Sequence, residues 1–180
     1  MTPLRRNLPD LAALAVLLAA AGLLYARMLD SAPNYDEGVY MASLDALLHG
    51  ERLGAEVFTV QPPGFYLLLE LLSVLFGNSV EGIRVGFLLL ALVGLAAAYV
   101  VGRAVAGRGA GLAAAAVVAV APPFPVEAAR ISSDVPSIAL SLVSIALATY
   151  GFRPGAPRWL APLAGAAFVL AVSVKIYAIT

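Results

Sequence analysis

Long apolar runs, separated by short polar clusters, set the pattern of this chain. The runs lie at about residues 11–29, 83–101, 110–124, 135–150 and 159–179. A bilayer core of about 30 Å needs roughly 20 mostly apolar residues in a helix, so the pattern predicts a polytopic all-α bundle of about five transmembrane helices. A cleaved secretory signal also begins with basic residues and an apolar run, but its core is about 7–15 residues long and ends at a small-residue site. Here the first run is longer and ends in Arg27-Met28-Leu29-Asp30, which predicts a retained anchor.

Between the first two runs lies a stretch of different character, residues 30–82. Asn34 or Asp36 can cap a helix through Val39, Tyr40, Leu44, Leu47 and Leu48, with Gly50 as its stop. Those apolar positions fall on one side, predicting an amphipathic helix lying along the membrane surface, apolar face down. Pro62-Pro63 then forces an extended entry, and Phe65 through Phe76 reads as a second short helix stopped by Gly77. With Glu70 in its middle and too few residues to cross, it belongs in the interface. If it crossed, the basic connectors downstream would change sides.

Composition supports this reading. The chain is 62% hydrophobic with mean hydropathy +0.93, well above the roughly 45–50% apolar usage of soluble domains. Formal net charge is zero, so no basic field recommends a nucleic-acid partner. Without cysteine there are no disulfides, thiolate metal sites or cysteine nucleophiles.

Placement of charge sets the topology. Arg5 and Arg6, Arg103 and Arg108, and Arg153 and Arg158 occupy alternate connectors, and cytoplasmic loops carry the Lys/Arg excess. The N-terminus is therefore expected in the cytoplasm, in a multi-pass protein of the cytoplasmic membrane. The outer side then holds every acid except Asp10. Short connectors at 102–109 and 151–158 predict antiparallel hairpins, and the small residues of the second and third spans suit close helix packing.

The densest polar cluster is Asn34-Tyr35-Asp36-Glu37, just outside the first span. Adjacent carboxylates can perturb each other, and one can act as a general base; equally, Asp36 can cap its helix while Glu37 complements the helix dipole. Asp134 opens the fourth span at the same face, either as a cap or as a second acid at the same mouth. Lys175 stands 16 residues beyond Trp159, about 24 Å along a helix. There it can snorkel or meet a lipid phosphate, and Arg84 and Arg130 carry the same two readings. His49, just before Gly50, fits a helix C-terminus better than a metal site. Tyr35, Tyr40, Phe65, Tyr66 and Trp159 fit interfacial belts.

The order of these features resembles a known family. Tyr35-Asp36-Glu37-Gly38-Val39-Tyr40, then Gln61-Pro62-Pro63-Gly64-Phe65-Tyr66, then Phe76-Gly77-Asn78-Ser79 and Gly82-Ile83-Arg84 follow the N-terminal part of the GT-C-fold, polyprenyl-phosphate-sugar-dependent glycosyltransferases. This is the family 39 or protein-mannosyltransferase-like group, which includes aminoarabinose transferases acting on lipid A and rhizobial lipopolysaccharide-core transferases. The resemblance implies Asp36 as catalytic base, Glu37 as its companion acid and Asp134 as a second outer acid. It makes Tyr40, Gln61, Tyr66, Arg84, Arg130 and Lys175 candidate substrate contacts. Some relatives have a basic residue where Gln61 stands.

The implied reaction moves a sugar, with inversion, from a polyprenyl monophosphate donor lipid to a lipid, glycan or protein acceptor at the outer membrane face. A cation or a divalent metal would steady the leaving phosphate. Family members run to several hundred residues, so the resemblance implies an N-terminal portion of such an enzyme. The alternatives are a non-catalytic membrane protein that binds the donor lipid and a transporter component. The transporter reading expects acids inside the spans, which the span cores here lack.

Overall fold

In the computed structural model the protein is described over residues 3–176, with the backbone alone for residues 3–8. The end of the last expected span, 177–179, lies outside the described residues. Among the described residues seven helices follow in order: α1 (Pro3–Ala26), α2 (Tyr35–Leu48), α3 (Pro63–Phe76), α4 (Val80–Val120), α5 (Phe124–Ala128), α6 (Asp134–Gly151) and α7 (Leu160–Val174). The protein is an all-helical membrane bundle. Among the described residues three helices, in α1, α4 and α6, are long and apolar enough to cross a membrane, while α3 and α7 are shorter apolar helices.

Helix α4 contains a break. Ala106 (φ −137°, ψ 22°) and Gly107 (φ 83°) leave helical geometry, and only glycine adopts that positive φ cheaply. The break folds α4 back on itself. A Cβ on Gly102 would sit 2.7 Å from the Ala110 carbonyl oxygen and 2.9 Å from the Ala114 Cβ, so the two halves touch through their backbones. The hairpin expected at connector 102–109 is thus a tight glycine-faced turn, which places the two flanking apolar runs side by side.

Two apolar clusters hold the bundle. One joins Ala21 and Tyr25 of α1 to Leu88, Ala91 and Leu95 of α4 and to Val135 of α6, and the Tyr25 hydroxyl donates to the Ala119 carbonyl at 2.8 Å. The other lies at the opposite end from the α4 break. There Tyr40 and Leu44 of α2 meet Phe65, Tyr66 and Leu69 of α3, together with Phe87, Ile131 and Val174. The Tyr40 and Phe65 rings meet edge to face at 4.7 Å. The apolar face of α2 is therefore covered by α3, rather than turned wholly toward lipid. The outward face of α3 is apolar instead, with Leu67, Leu71, Val74 and Leu75 exposed.

At the break end, Arg108 Nε lies 2.6 Å and Arg103 Nη1 3.8 Å from Asp10 Oδ2. The start of α1 and the turn of α4 therefore share one end of the bundle, and the α2–α3 segment and the α5–α6 loop share the other.

Candidate active site

Helix α2 begins with a capping box. The Asn34 side-chain oxygen accepts from the Glu37 amide at 2.9 Å, and the Glu37 carboxylate accepts from the Asn34 amide at 3.0 Å. Of the two expected caps, Asn34 is the one used. Residues 36 and 37 meet different surroundings: Glu37 is fully buried, and Asp36 is exposed.

Glu37 faces Arg84, one turn inside α4. Arg84 Nε donates to Oε1 and Nη2 to Oε2, both at 2.8 Å, the two-pronged geometry that a planar guanidinium offers a carboxylate. Oε1 also accepts the Ile131 amide at 2.9 Å. Arg84 Nη1 donates to the carbonyls of Leu29 and of Ser31, the latter at 2.7 Å. Burial alone would push the Glu37 carboxyl up, but the hydrogen bonds from Arg84, Ile131 and Asn34 outweigh it and hold it below the usual carboxylate range.

Two expectations change here. Arg84 neither snorkels nor faces a lipid phosphate, because its donors are already engaged inside the protein. Glu37, expected as companion acid to Asp36, has both oxygens occupied and does not reach the cavity beside it.

That cavity, of about 190 Å³, is lined by Asn34, Asp36 and Tyr40 of the α2 start, Gln61 before α3, Glu127 of α5, residues 131–134 and Lys175. Asp134 is not a cap: it is the first residue of α6, whose N-terminal neighbour Ser133 makes no side-chain cap bond. Its Oδ2 accepts from the Ser132 hydroxyl at 3.3 Å, and its Oδ1 accepts from Lys175 Nζ at 2.6 Å. Lys175 thus points into the cavity rather than to the headgroups, because α7 ends one residue earlier, at Val174, and its cap residue turns extended. Gln61 Nε2 donates to the Tyr40 hydroxyl at 3.0 Å. Burial raises the Tyr40 phenol above its ordinary value, with Asp36 and Asp134 adding to the effect and Gln61 opposing it. With its oxygen accepting from Gln61, the phenol has its own proton to donate.

Of the residues singled out in the sequence, Asp36, Asp134, Tyr40, Gln61 and Lys175 meet in this cavity. Tyr66 does not line it; it is buried, and its hydroxyl accepts from the Val60 amide at 3.2 Å. Arg130 is half-buried and is not part of the lining. Sequence reasoning missed Glu127, Ser132 and Ser133. His49 is exposed at the end of α2, its ring raised above the ordinary value by the Asp45 carbonyl and carboxylate. Among the described residues no group of three or more His, Asp or Glu side chains could hold a metal ion.

Two clefts adjoin the cavity. One, of about 410 Å³, shares Gln61 and Lys175 and is completed by Val60, Pro62 and Ile176. The other, of about 430 Å³, shares Glu127 and Asp134 and runs along apolar residues of α4, α5 and α6. The cavity therefore has a flank without acids and an acidic one.

The sequence model for dolichyl-phosphate-mannose-protein mannosyltransferases matches residues 60–180. Among solved structures, ArnT from Cupriavidus metallidurans in the apo state superimposes with a TM-score of 0.68 at 22% identity, over 89% of this chain and 32% of that one. At this identity the likeness is one of fold, and the chain spans about a third of the ArnT chain. No curated protein sequence matches it.

Proposed function

The chain belongs to the dolichyl-phosphate-mannose-protein mannosyltransferase family and has the fold of the N-terminal portion of a GT-C glycosyltransferase; from that premise we propose that its cavity transfers a sugar from a polyprenyl monophosphate donor to a hydroxyl acceptor. One observation carries the reading. Asp36, Asp134 and Lys175, which are far apart in sequence, line a single polar cavity at one end of an apolar bundle. With the N-terminus in the cytoplasm, the orientation that the basic connectors support, that end is the outer face.

In this reading Asp36 is the base. It takes the proton of the acceptor hydroxyl as the oxygen attacks the anomeric carbon on the face opposite the phosphate. The carbon–phosphate-oxygen bond breaks, its electron pair leaves with the polyprenyl phosphate, and the configuration inverts. Developing negative charge on the phosphate needs a nearby cation, which Lys175 supplies. The three carboxylates of the cavity repel a phosphate, so the leaving group belongs on the acid-free flank beside Lys175 and Gln61. There Val60 and Ile176 are exposed to meet the polyprenyl chain. The acceptor then enters from the flank of Glu127 and Asp134. Gln61 presents neutral amide hydrogens where some relatives carry a cation.

The test is transfer itself. Membranes carrying the chain are given labelled polyprenyl phosphate mannose, and loss of label from the donor is followed. Asp36→Asn should lower the rate by about 10²–10⁴-fold, the usual contribution of a general base. Full activity in Asp36→Asn rules out this role. A second reading is binding of the same donor lipid without transfer, favoured by the cleft of Val60, Gln61, Pro62, Lys175 and Ile176, which suits a phosphate with an apolar chain. It predicts saturable uptake of polyprenyl phosphate with no label released.

A further inference from the structure

Arg84 is the largest fully buried side chain among the described residues. It sits inside a membrane-length helix, where a lone cation is expensive and must find a partner. Glu37 is that partner, but stability alone does not call for the pair, since apolar side chains of similar volume replace buried ion pairs at little or no cost. The geometry asks for a different role. Oε1 of Glu37 holds Arg84 Nε and the Ile131 amide, and Oε2 holds Arg84 Nη2 and the Asn34 amide. One oxygen is tied to the loop three residues before Asp134, the other to the cap two residues before Asp36. The same guanidinium reaches across to the carbonyls of Leu29 and Ser31, where the chain leaves α1.

We propose that Glu37 and Arg84 are positioning residues for the transfer, a buried clamp that fixes the turn carrying Asp36 against the loop carrying Asp134. This rests on the function proposed above. The clamp needs a carboxylate with two acceptor oxygens and a planar two-pronged donor. Glutamine replaces one acceptor by a donor, and lysine offers one point charge in place of the fork. Neither residue touches substrate, and both act through the backbone amides they hold.

The test uses the full chain in lipid nanodiscs with labelled polyprenyl phosphate mannose. Replacing both partners, Glu37→Gln with Arg84→Met, removes the buried charges together, so melting stays near that of the wild type and KM for the donor is held. The expected losses are kcat, by about 100-fold, the usual cost of misplacing reacting groups by about 1 Å, and amide-exchange protection over residues 131–134. A merely structural pair would leave the rate intact in a double variant that melts normally, and that result, or unchanged protection of 131–134, overturns the proposal. Should the double variant fail to melt cooperatively, Arg84→Lys carries the test, with kcat expected to fall at least tenfold at constant KM; an unchanged kcat again overturns it. A wild type no faster than Asp36→Asn overturns the proposed function instead, and the positioning role falls with it.

Discussion

Asp36 and Glu37 are chemically alike and adjacent in the chain, yet they leave the first turn of α2 into opposite surroundings. Glu37 is out of water, its oxygens filled by Arg84, Ile131 and Asn34. Asp36 is exposed on a cavity it shares with Asp134 and Lys175. A helix turns its side chains by about 100° per residue, so consecutive positions cannot share a face. A capping box beside a buried arginine therefore divides two carboxylates between the protein interior and the cavity.

The contrast can be broken most forcefully at the arginine. Arg84→Met leaves Glu37 as an uncompensated buried charge, and removing one partner of such a pair costs about 3–5 kcal/mol. The melting transition of the purified chain should fall accordingly, whereas Asp36→Asn should leave it in place.

Acid probes the same contrast more gently. Because the folded Glu37 carboxyl lies below its unfolded value, its contribution is complete at neutral pH. It disappears as pH drops from the ordinary glutamate range, about 4.3, through the lower folded value. The stability gap between wild type and Glu37→Gln should therefore narrow in acid, as measured by melts across that range; a gap that widens there contradicts the pairing.

The smallest effect belongs to the exposed pair His49 and Asp45, 3.7 Å apart. Exposed pairs contribute little, so His49→Ala should not change melting measurably.

Much of the fold was legible because burial in lipid leaves long apolar runs, and glycines mark the stops at Gly50 and Gly77 and the turn at Gly107. Topology also gathered Asp36, Asp134 and Lys175, since three separate segments had to surface on one side. The partner of Arg84 was harder to read. The pair is 47 residues apart, and no local period links a helix cap to the start of a later span. The signal was nonetheless present: a cation among Ile83, Val85, Gly86 and Phe87 either snorkels or pairs with a buried acid, and Glu37 is the acid it meets. Glu127, Ser132 and Ser133 do not read as site residues from sequence because short connectors between spans ordinarily do no more than turn the chain or start a helix.

The most direct measurement is the rate of sugar loss from labelled polyprenyl phosphate mannose, per folded molecule, for wild type and Asp36→Asn melting at the same temperature. A fall of about 10²–10⁴-fold at unchanged stability is the predicted result. Equal rates would contradict the assignment of Asp36 as the base.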